Sequence, residues 1–265
     1  MARERRQLPW IKVTKNYAFE GRDCSQSLGE LFAGGTQLIV YHFMHAPDWE
    51  EGCPGCSFWA DNFEGIGIHL AHRDASLVAI SGAPCERLAA YGQRMGWTFP
   101  WYSSQAGDFN FDYRVSFTPE QVESGDAAYN DRQAKVLDEL PGVSVFCRDE
   151  AEDLYHTYSA YSRGLDMLDS AYHYMDPLPK GRDESELPWT MAWLRRHDQY
   201  EDQRRQPLVD VDVRRVMRKP RRGCTRDQPS GRTQLRPGDC GVRDIRRCCQ
   251  RAEFCGYTVS FPLSS

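Results

Sequence analysis

Apolar and polar positions alternate along the first 200 residues in blocks typical of a folded domain. Two apolar runs rich in β-branched and aromatic residues, TQLIVYHFM (36–44) and SLVAIS (76–81), predict buried strands. Between them, bulky apolar residues recur over 56–63 at i, i+3, i+4 and i+7, which is one face of a helix. The pattern therefore predicts a strand, a helix and a second strand.

The rest of this region continues the alternation. Pro84, a residue suited to a helix start, precedes the amphipathic helix predicted over 85–96. Further predicted elements are a strand pair at LPGVSVF (140–146) and DLYHTYS (153–159), then helices at 163–175 and 186–201. This order predicts an α/β fold with a central sheet flanked by helices.

Charge divides the chain into two parts. The segment 202–265 holds 15 Lys or Arg against 7 Asp or Glu, although the whole chain has a formal net charge of -5. We therefore expect a folded domain over 1–201 and an irregular arginine- and cysteine-rich tail over 202–265, either disordered or read out of frame. A basic tail is compatible with nucleic-acid binding, but the near absence of aromatics and of a folded platform argues against it.

Hydropathy and cysteine content indicate the compartment. No apolar run approaches the roughly 18 residues of a membrane span, which predicts a soluble, cytoplasmic protein with no membrane partner. The chain has ten cysteines. In a reducing compartment such residues are more often catalytic, metal-bound or buried than cross-linked.

The candidate chemistry lies in GCPGCSFWADN (52–62), where Cys53 and Cys56 open the predicted helix. Placing Cys53 at the N-cap and Pro54 at the first helical position turns free amide hydrogens toward the Cys53 sulfur and favours its thiolate. Cys56 falls on the core-facing side of the helix. The pattern predicts an exposed, activated thiol with a sheltered partner, which suits thiol–disulfide exchange.

Charged neighbours modify this prediction. Asp48, Glu50 and Glu51 precede the motif, and carboxylates near a sulfur disfavour its thiolate. A protonated His45 would offset them. We therefore expect Cys53 to be less acidic than the most strongly oxidising members of this class.

A metal site is the competing interpretation. Cys53, Cys56, His69 and His72 have the spacing C-x2-C-x12-H-x2-H, which falls short of the three to five residues that zinc fingers place between their histidines. We expect no metal, although structural or zinc-binding cysteines remain the alternative.

Several segments in one order resemble the thioredoxin-like domain-of-unknown-function 899 family, from RRQLPW to about residue 200. These segments are QLIVYHFM, DWEEGCPGCSFWADNF, HLAHRD, AISGAP, GWTFPWYSS, DFNFDY, LPGVSVF, YSRGLDML and GRDESELPWTMAWLRRHD. The resemblance implies a thioredoxin-type fold, and a start that is truncated relative to other members. By similarity to thioredoxins and peroxiredoxins, Cys53 is the nucleophile and Cys56 the resolving thiol.

The resemblance also points to residues that face substrate. Pro141, before the strand in LPGVSVF, would match the cis-proline opposite the cysteines of thioredoxins, and a cis bond there would expose backbone to a substrate chain. An ordinary turn proline is the alternative. Thioredoxins carry tryptophan directly before the first cysteine, whereas this chain has Gly52 there and Trp49 further back.

We therefore expect a cytoplasmic thiol–disulfide oxidoreductase that acts on a protein or small-molecule disulfide or a peroxide. It would need no organic cofactor, because cellular dithiols would supply the electrons. The alternative is a non-enzymatic binding protein of the same fold. Outside the motif, we expect Cys85 to be a small residue at a helix start, and Arg163 to pair with Asp166.

Overall fold

The computed structural model describes residues 2–125, 127–130, 132–133 and 137–200. The predicted tail, 202–265, lies outside the described residues.

Within this part of the chain the strands are short, from two to eight residues each. They are β1 (Ile11–Lys12), β2 (Ala18–Glu20), β3 (Ser25–Ser27), β4 (Gln37–His42), β5 (Ala75–Ser81), β6 (Trp101–Ser103), β7 (Ala128–Tyr129), β8 (Arg132–Gln133), β9 (Gly142–Arg148) and β10 (Leu154–Tyr161). Eight of them form one sheet in the order β1-β10-β9-β4-β5-β6-β2-β3. The strands β7 and β8 form a separate hairpin.

The helices are also short. They are α1 (Ala2–Arg5), α2 (Pro54–Ala60), α3 (Ile66–Ala71), α4 (Cys85–Met95), α5 (Phe109–Asp112), α6 (Pro119–Ser124) and α7 (Ser170–Met175), with 3-10 turns at Glu30–Phe32, Ser162–Leu168 and His197–Gln199. None of the helices in the described residues is long and apolar enough to cross a membrane.

The strand β4 organises the sheet. It pairs in parallel with β5 and antiparallel with β9, and β5 pairs in parallel with β6. Because successive side chains of a strand point to opposite faces, Leu38 and Val40 enter one apolar cluster while Tyr41 enters the other. The second cluster also contains Trp59 of α2 and Tyr91 of α4. Both faces of the sheet are therefore covered.

The predicted α/β architecture is confirmed. The two apolar runs form β4 and β5, the predicted strand pair forms β9 and β10, and the CxxC motif opens the helix that follows the central strand. This is the thioredoxin-like arrangement that the sequence predicts.

The prediction of a helix over 186–201 is wrong. This segment consists of turns and the 3-10 turn His197–Gln199. Pro188 provides no amide hydrogen, and Met191 has a positive φ of 70°. The carboxylate of Glu184 instead accepts hydrogen bonds from the Met191 amide (3.1 Å) and the Trp193 indole (2.8 Å). Hydrogen bonds to a side-chain carboxylate thus take the place of the backbone hydrogen bonds of a helix.

The helix predicted over 163–175 is divided in two. A 3-10 turn ends at Leu168, and α7 begins at Ser170. The intervening Asp169 is buried, and its carboxylate accepts hydrogen bonds from the amides of Ala171 and Tyr172. Asp169 is therefore an N-cap, which starts a new helix and does not continue the old one.

Candidate active site

The loop after β4 returns the chain to the end of that strand before α2 begins. The amide of Cys53 donates to the Met44 carbonyl at 3.0 Å, and the amide of Met44 donates to the Cys56 sulfur at 3.4 Å. Both cysteines are therefore fixed to the backbone of one residue at the carboxyl end of the central strand.

The predicted helix start is confirmed. Cys53 is the N-cap of α2 and Pro54 is its first residue. Cys56 is buried, with 2% of its surface exposed, as predicted. Cys53 is half-buried and so less exposed than predicted. The side chain of Met191 lies close to Gly55 of the same helix turn.

The two thiols have opposite electrostatic surroundings. Interaction with the Cys56 thiol, helped by the amides of Cys56 and Gly55 and the charge of Arg196, lowers the pKa of Cys53 to about 7 against the effect of burial. No side-chain capping hydrogen bond completes this contact, so the amides act on the sulfur as nearby partial charges. Burial raises the pKa of Cys56 well above its ordinary value. At neutral pH the negative charge therefore belongs on Cys53 and the proton on Cys56.

The suggested role of His45 is wrong. His45 is fully buried, its Nε2 atom lies 3.2 Å from the Trp49 carbonyl, and burial lowers its pKa to about 4. It is neutral near pH 7 and cannot offset the upstream carboxylates. Glu51 is instead neutralised by two arginines, with Arg196 Nη1 at 2.8 Å and Arg94 in contact.

Arg196 is the functional residue that sequence reasoning missed. Its Nη2 atom donates to the Gly52 carbonyl at 2.6 Å, and its Nε donates to the Tyr91 hydroxyl at 2.8 Å. The guanidinium therefore holds the residue directly before Cys53. In the sequence Arg196 was visible only as part of the segment LRRHD, which was placed in the helix predicted over 186–201.

Gly52 has a steric reason to be glycine. A Cβ atom there would lie 2.6 Å from Cε1 of Phe43 and 3.1 Å from Cε1 of Tyr91. The tryptophan that thioredoxins carry at this position would not fit. The departure from the thioredoxin pattern thus follows from an aromatic core that occupies the space.

The structure also locates the two residues predicted to face substrate. Trp49 is half-buried, packs against the cluster that contains Cys56, and donates its indole N–H to Asp138 at 3.1 Å. The bond before Pro141 is trans, so the cis-proline prediction is wrong. The Pro141 carbonyl accepts a hydrogen bond from the Tyr129 hydroxyl at 2.6 Å. That carbonyl therefore already has one hydrogen-bond partner within the chain.

The remaining candidates do not join this site. His69 and His72 are exposed on and just after α3, and within the described residues no three His, Cys, Asp or Glu side chains are arranged to hold a metal ion. Burial, then the charges of Glu20 and Glu86, raises the pKa of Cys85, so it is not an activated thiol. Arg163 pairs with Asp166 at 2.8 Å, as predicted.

Comparison with known families supports the resemblance seen in the sequence. The family model described as "Bacterial protein of unknown function (DUF899)" matches residues 1–200. The chain belongs to this DUF899 family. No curated protein matches it.

Solved structures similar to this DUF899 chain include peroxiredoxins. Peroxidoxin BcpB from Mycobacterium tuberculosis is 15% identical, with a TM-score of 0.43 over 63% of this chain and 97% of that chain. The bacterioferritin comigratory protein of Xanthomonas campestris, described with alkyl peroxide reduction activity, is 12% identical, with a TM-score of 0.41 over 61% and 94% of the chains. The chemistry of the DUF899 chain has to be argued from its own residues.

Proposed function

We propose that this protein is a thiol–disulfide oxidoreductase in which Cys53 attacks a disulfide or peroxide and Cys56 resolves the intermediate. One observation carries the proposal: a thiol with a pKa of about 7 lies at the start of α2, one helical turn from a buried thiol whose pKa is raised. This is the asymmetry that sequential attack and resolution require.

With a disulfide substrate, the Cys53 thiolate attacks one sulfur and forms a mixed disulfide, and the other sulfur leaves as a thiolate. Cys56 then loses its proton to that thiolate or to solvent and attacks the Cys53 sulfur. The second substrate thiolate leaves, so the substrate gains two electrons and Cys53–Cys56 becomes a disulfide. A cellular dithiol would restore the reduced pair.

With a peroxide, the Cys53 thiolate attacks one oxygen, takes it as a sulfenic acid, and releases an alcohol or water after proton uptake. Cys56 then displaces water from the sulfenic sulfur and forms the same disulfide. Both substrates therefore lead to one oxidised state, and only the first step distinguishes them.

Trp49 and Pro141 complete the proposal as residues bordering the approach of the substrate. Trp49 packs against the cluster that Cys53 also contacts. Pro141 would contribute its ring, since its carbonyl is already bonded to Tyr129. A reducing cytoplasm is the compartment in which a dithiol donor would serve this cycle.

The test is a redox titration of the full chain with mass mapping of its cysteines. We expect a reversible Cys53–Cys56 disulfide, and reductase activity toward a model disulfide that is lost in Cys53→Ser. In Cys56→Ser, the substrate should stay attached to Cys53, because nothing resolves the mixed disulfide. Cys24→Ser, which removes the exposed thiol directly before β3, is the matched control and should retain activity.

Two outcomes would count against the proposal. If Cys53 and Cys56 never pair under oxidation, the redox role is wrong. If the purified protein holds stoichiometric zinc that is lost in Cys53→Ser, the cysteines are metal ligands and the binding-protein alternative is favoured.

A further inference from the structure

A second site lies apart from the cysteines, at the carboxyl ends of the parallel strands. A cavity of about 420 Å³ opens between the segments that follow β4, β5 and β6. Ala46 and Pro47 follow β4, Gly82 follows β5, and Ser104 follows β6. In open α/β sheets, ligands bind outside the carboxyl ends of the strands, and this volume lies within the range of small-molecule pockets.

The walls of the cavity are mainly apolar. Phe111, Phe117 and Pro119 contribute rings, and Ala46 and Pro47 contribute aliphatic surface. Such walls suit the body of an organic molecule better than a hydrated ion.

The polar groups of the cavity are deeply buried acceptors. Glu139 is 4% exposed, and its Oε1 accepts a hydrogen bond from the Ser116 hydroxyl at 2.9 Å. Asn110 is 3% exposed, lines the same cavity and interacts through its side chain with the buried His42 ring. The Glu139 carboxyl can accept more hydrogen bonds than the one from Ser116, and a donor on a ligand would supply another.

The ionisable groups that line the cavity are all carboxyl groups. Asp48, Asp138 and Glu139 line it, and none of its described lining residues is Lys, Arg or His. Asp138 already accepts the Trp49 indole hydrogen, which leaves Glu139 as the innermost carboxyl. Within the described residues no group of three carboxyl, thiol or imidazole side chains is arranged for a metal ion. An organic cation therefore complements the cavity better than a metal does.

We propose that this cavity binds a small organic cation, an amidinium or ammonium group on an apolar body of about ring size. The charged group would pair with Glu139, and the body would contact the phenylalanine and proline rings. An amidinium suits a carboxylate particularly well, because two parallel N–H groups meet its two oxygens.

Protonation of Glu139 should compete with the cation. Burial, with the charges of Asp138 and Asp48, raises the pKa of Glu139 to about 8. The Glu139 carboxyl is therefore largely protonated near pH 6. The backbone amide of His45 donates a hydrogen bond to the Glu139 carboxyl, and the His45 ring is neutral in this range. The Arg87 guanidinium donates to the Pro47 and Trp49 carbonyls. Binding must therefore expel one proton at low pH.

The test is calorimetric titration of the full chain with three probes that share one ring: benzamidine (cationic), benzamide (neutral) and benzoate (anionic). We expect benzamidine to bind at one site, benzamide to bind at least tenfold more weakly, and benzoate not to bind. Benzamidine stays charged across the range, so its affinity should rise by more than tenfold between about pH 6 and pH 8 as Glu139 loses its proton.

Variants locate the site. Glu139→Gln keeps the shape of the protonated carboxyl and should weaken benzamidine binding at pH 8 by more than tenfold, whereas Glu150→Gln, on an exposed acid outside the cavity, should not change it. The proposal is overturned if the three probes bind alike, or if Glu139→Gln binds benzamidine as tightly as the unaltered chain. It is also overturned if affinity does not depend on pH. The pH series needs no variant, so a folding defect in Glu139→Gln would not prevent a decision.

Discussion

Two opposing effects act on the pKa of Cys53: the hydrogen bond with the Cys56 thiol, helped by nearby positive partial charge, lowers it, and burial raises it. The first effect prevails. A pKa of about 7 gives roughly half thiolate at pH 7, about fifteen times more than an ordinary thiol. A less basic thiolate is also a weaker nucleophile, by roughly fivefold here. The net advantage in rate at pH 7 is therefore only about threefold, and the midpoint of the pH profile is the better signature.

We predict that alkylation of Cys53 by iodoacetamide has its midpoint near pH 7, because the thiolate is present above the lowered pKa and lost below it. Cys85, whose pKa is raised by burial and neighbouring acids, should react only at higher pH. Rates at each cysteine are measured by peptide mass mapping over a pH series. Equal midpoints for both cysteines would contradict the activation of Cys53.

Arg196 acts as a positioning residue for this sulfur. In Arg196→Gln, we expect the alkylation midpoint of Cys53 to move upward, toward that of an ordinary thiol, because a positive charge is removed. The loss of hydrogen bonds to Gly52 and Tyr91 should also cost about 1–3 kcal/mol of stability. Arg195→Gln is the control, since Arg195 is exposed and bonds to its own segment. A midpoint unmoved in Arg196→Gln would remove Arg196 from the site.

The sequence could predict Cys53 and Cys56 but not Arg196. Cap and helix positions depend on neighbouring residues, so a short window contains the information. Arg196 reaches Gly52 across 144 positions of the chain, and no local pattern encodes that contact. The trans geometry of Pro141 was equally hidden, because a proline before a strand is compatible with either isomer.

At the scale of elements, the loop that enters α2 is packed too tightly for a side chain at residue 52. Gly52→Ala would place a methyl group against Phe43 and Tyr91, and we expect it to destabilise the fold by about 1–3 kcal/mol. Gly67→Ala, in α3 with open space around the position, should be neutral or slightly stabilising. Urea denaturation compares the two. Similar stability in both variants would mean that the loop can move away from Phe43.

The segment from Leu187 to Arg196 is held by side chains and not by helical hydrogen bonds. Glu184 Oε1 accepts from the Tyr172 hydroxyl, the Met191 amide and the Trp193 indole. In Glu184→Ala, we expect faster hydrogen exchange across this segment and faster alkylation of Cys53, because Met191 would no longer be held against α2. Glu186→Ala, at a nearby exposed acid, is the control. Unchanged exchange would show that other contacts fix the segment.

The strands β4 and β5 were predictable because each lies within a nearly continuous apolar run, the pattern of a strand covered on both faces. The segment 186–201 was not predictable as turns, since its apolar spacing is helical. What prevents a helix is the carboxylate of Glu184 together with Pro188, that is, a tertiary contact and a missing donor. Local pattern therefore succeeded where the core dictates structure and failed where side chains replace the backbone ladder.

At the scale of the whole molecule, buried ionisable groups couple folding to pH. Burial lowers the pKa of His42 to about 3 and of His45 to about 4, so the folded chain excludes protons that the unfolded chain binds up to about pH 6.5. These two histidines should therefore add stability as the pH rises from about 4 to 6.5, whereas Asp169, whose pKa burial raises to about 6, should remove stability over part of this range. Glu139 also works against the histidines, because its pKa in the folded chain is about 8, above the ordinary value of 4.5. The folded chain therefore becomes less stable as the pH rises between these two values.

The difference in unfolding free energy between Glu139→Gln and the unaltered chain isolates the contribution of this one carboxyl. We expect Glu139→Gln to gain relative stability as pH rises from about 5 to 8, at a rate of up to about 1.4 kcal/mol per pH unit, because glutamine has no proton to lose. Above pH 7, Cys53 acts in the other direction, since its lowered pKa adds stability as pH rises, so the unaltered chain should show a flat profile between about pH 7 and 8. Urea denaturation across the pH series, with Glu150→Gln as control, measures both. A difference that stays constant between pH 5 and 8 would mean that burial does not shift the pKa of Glu139 as predicted.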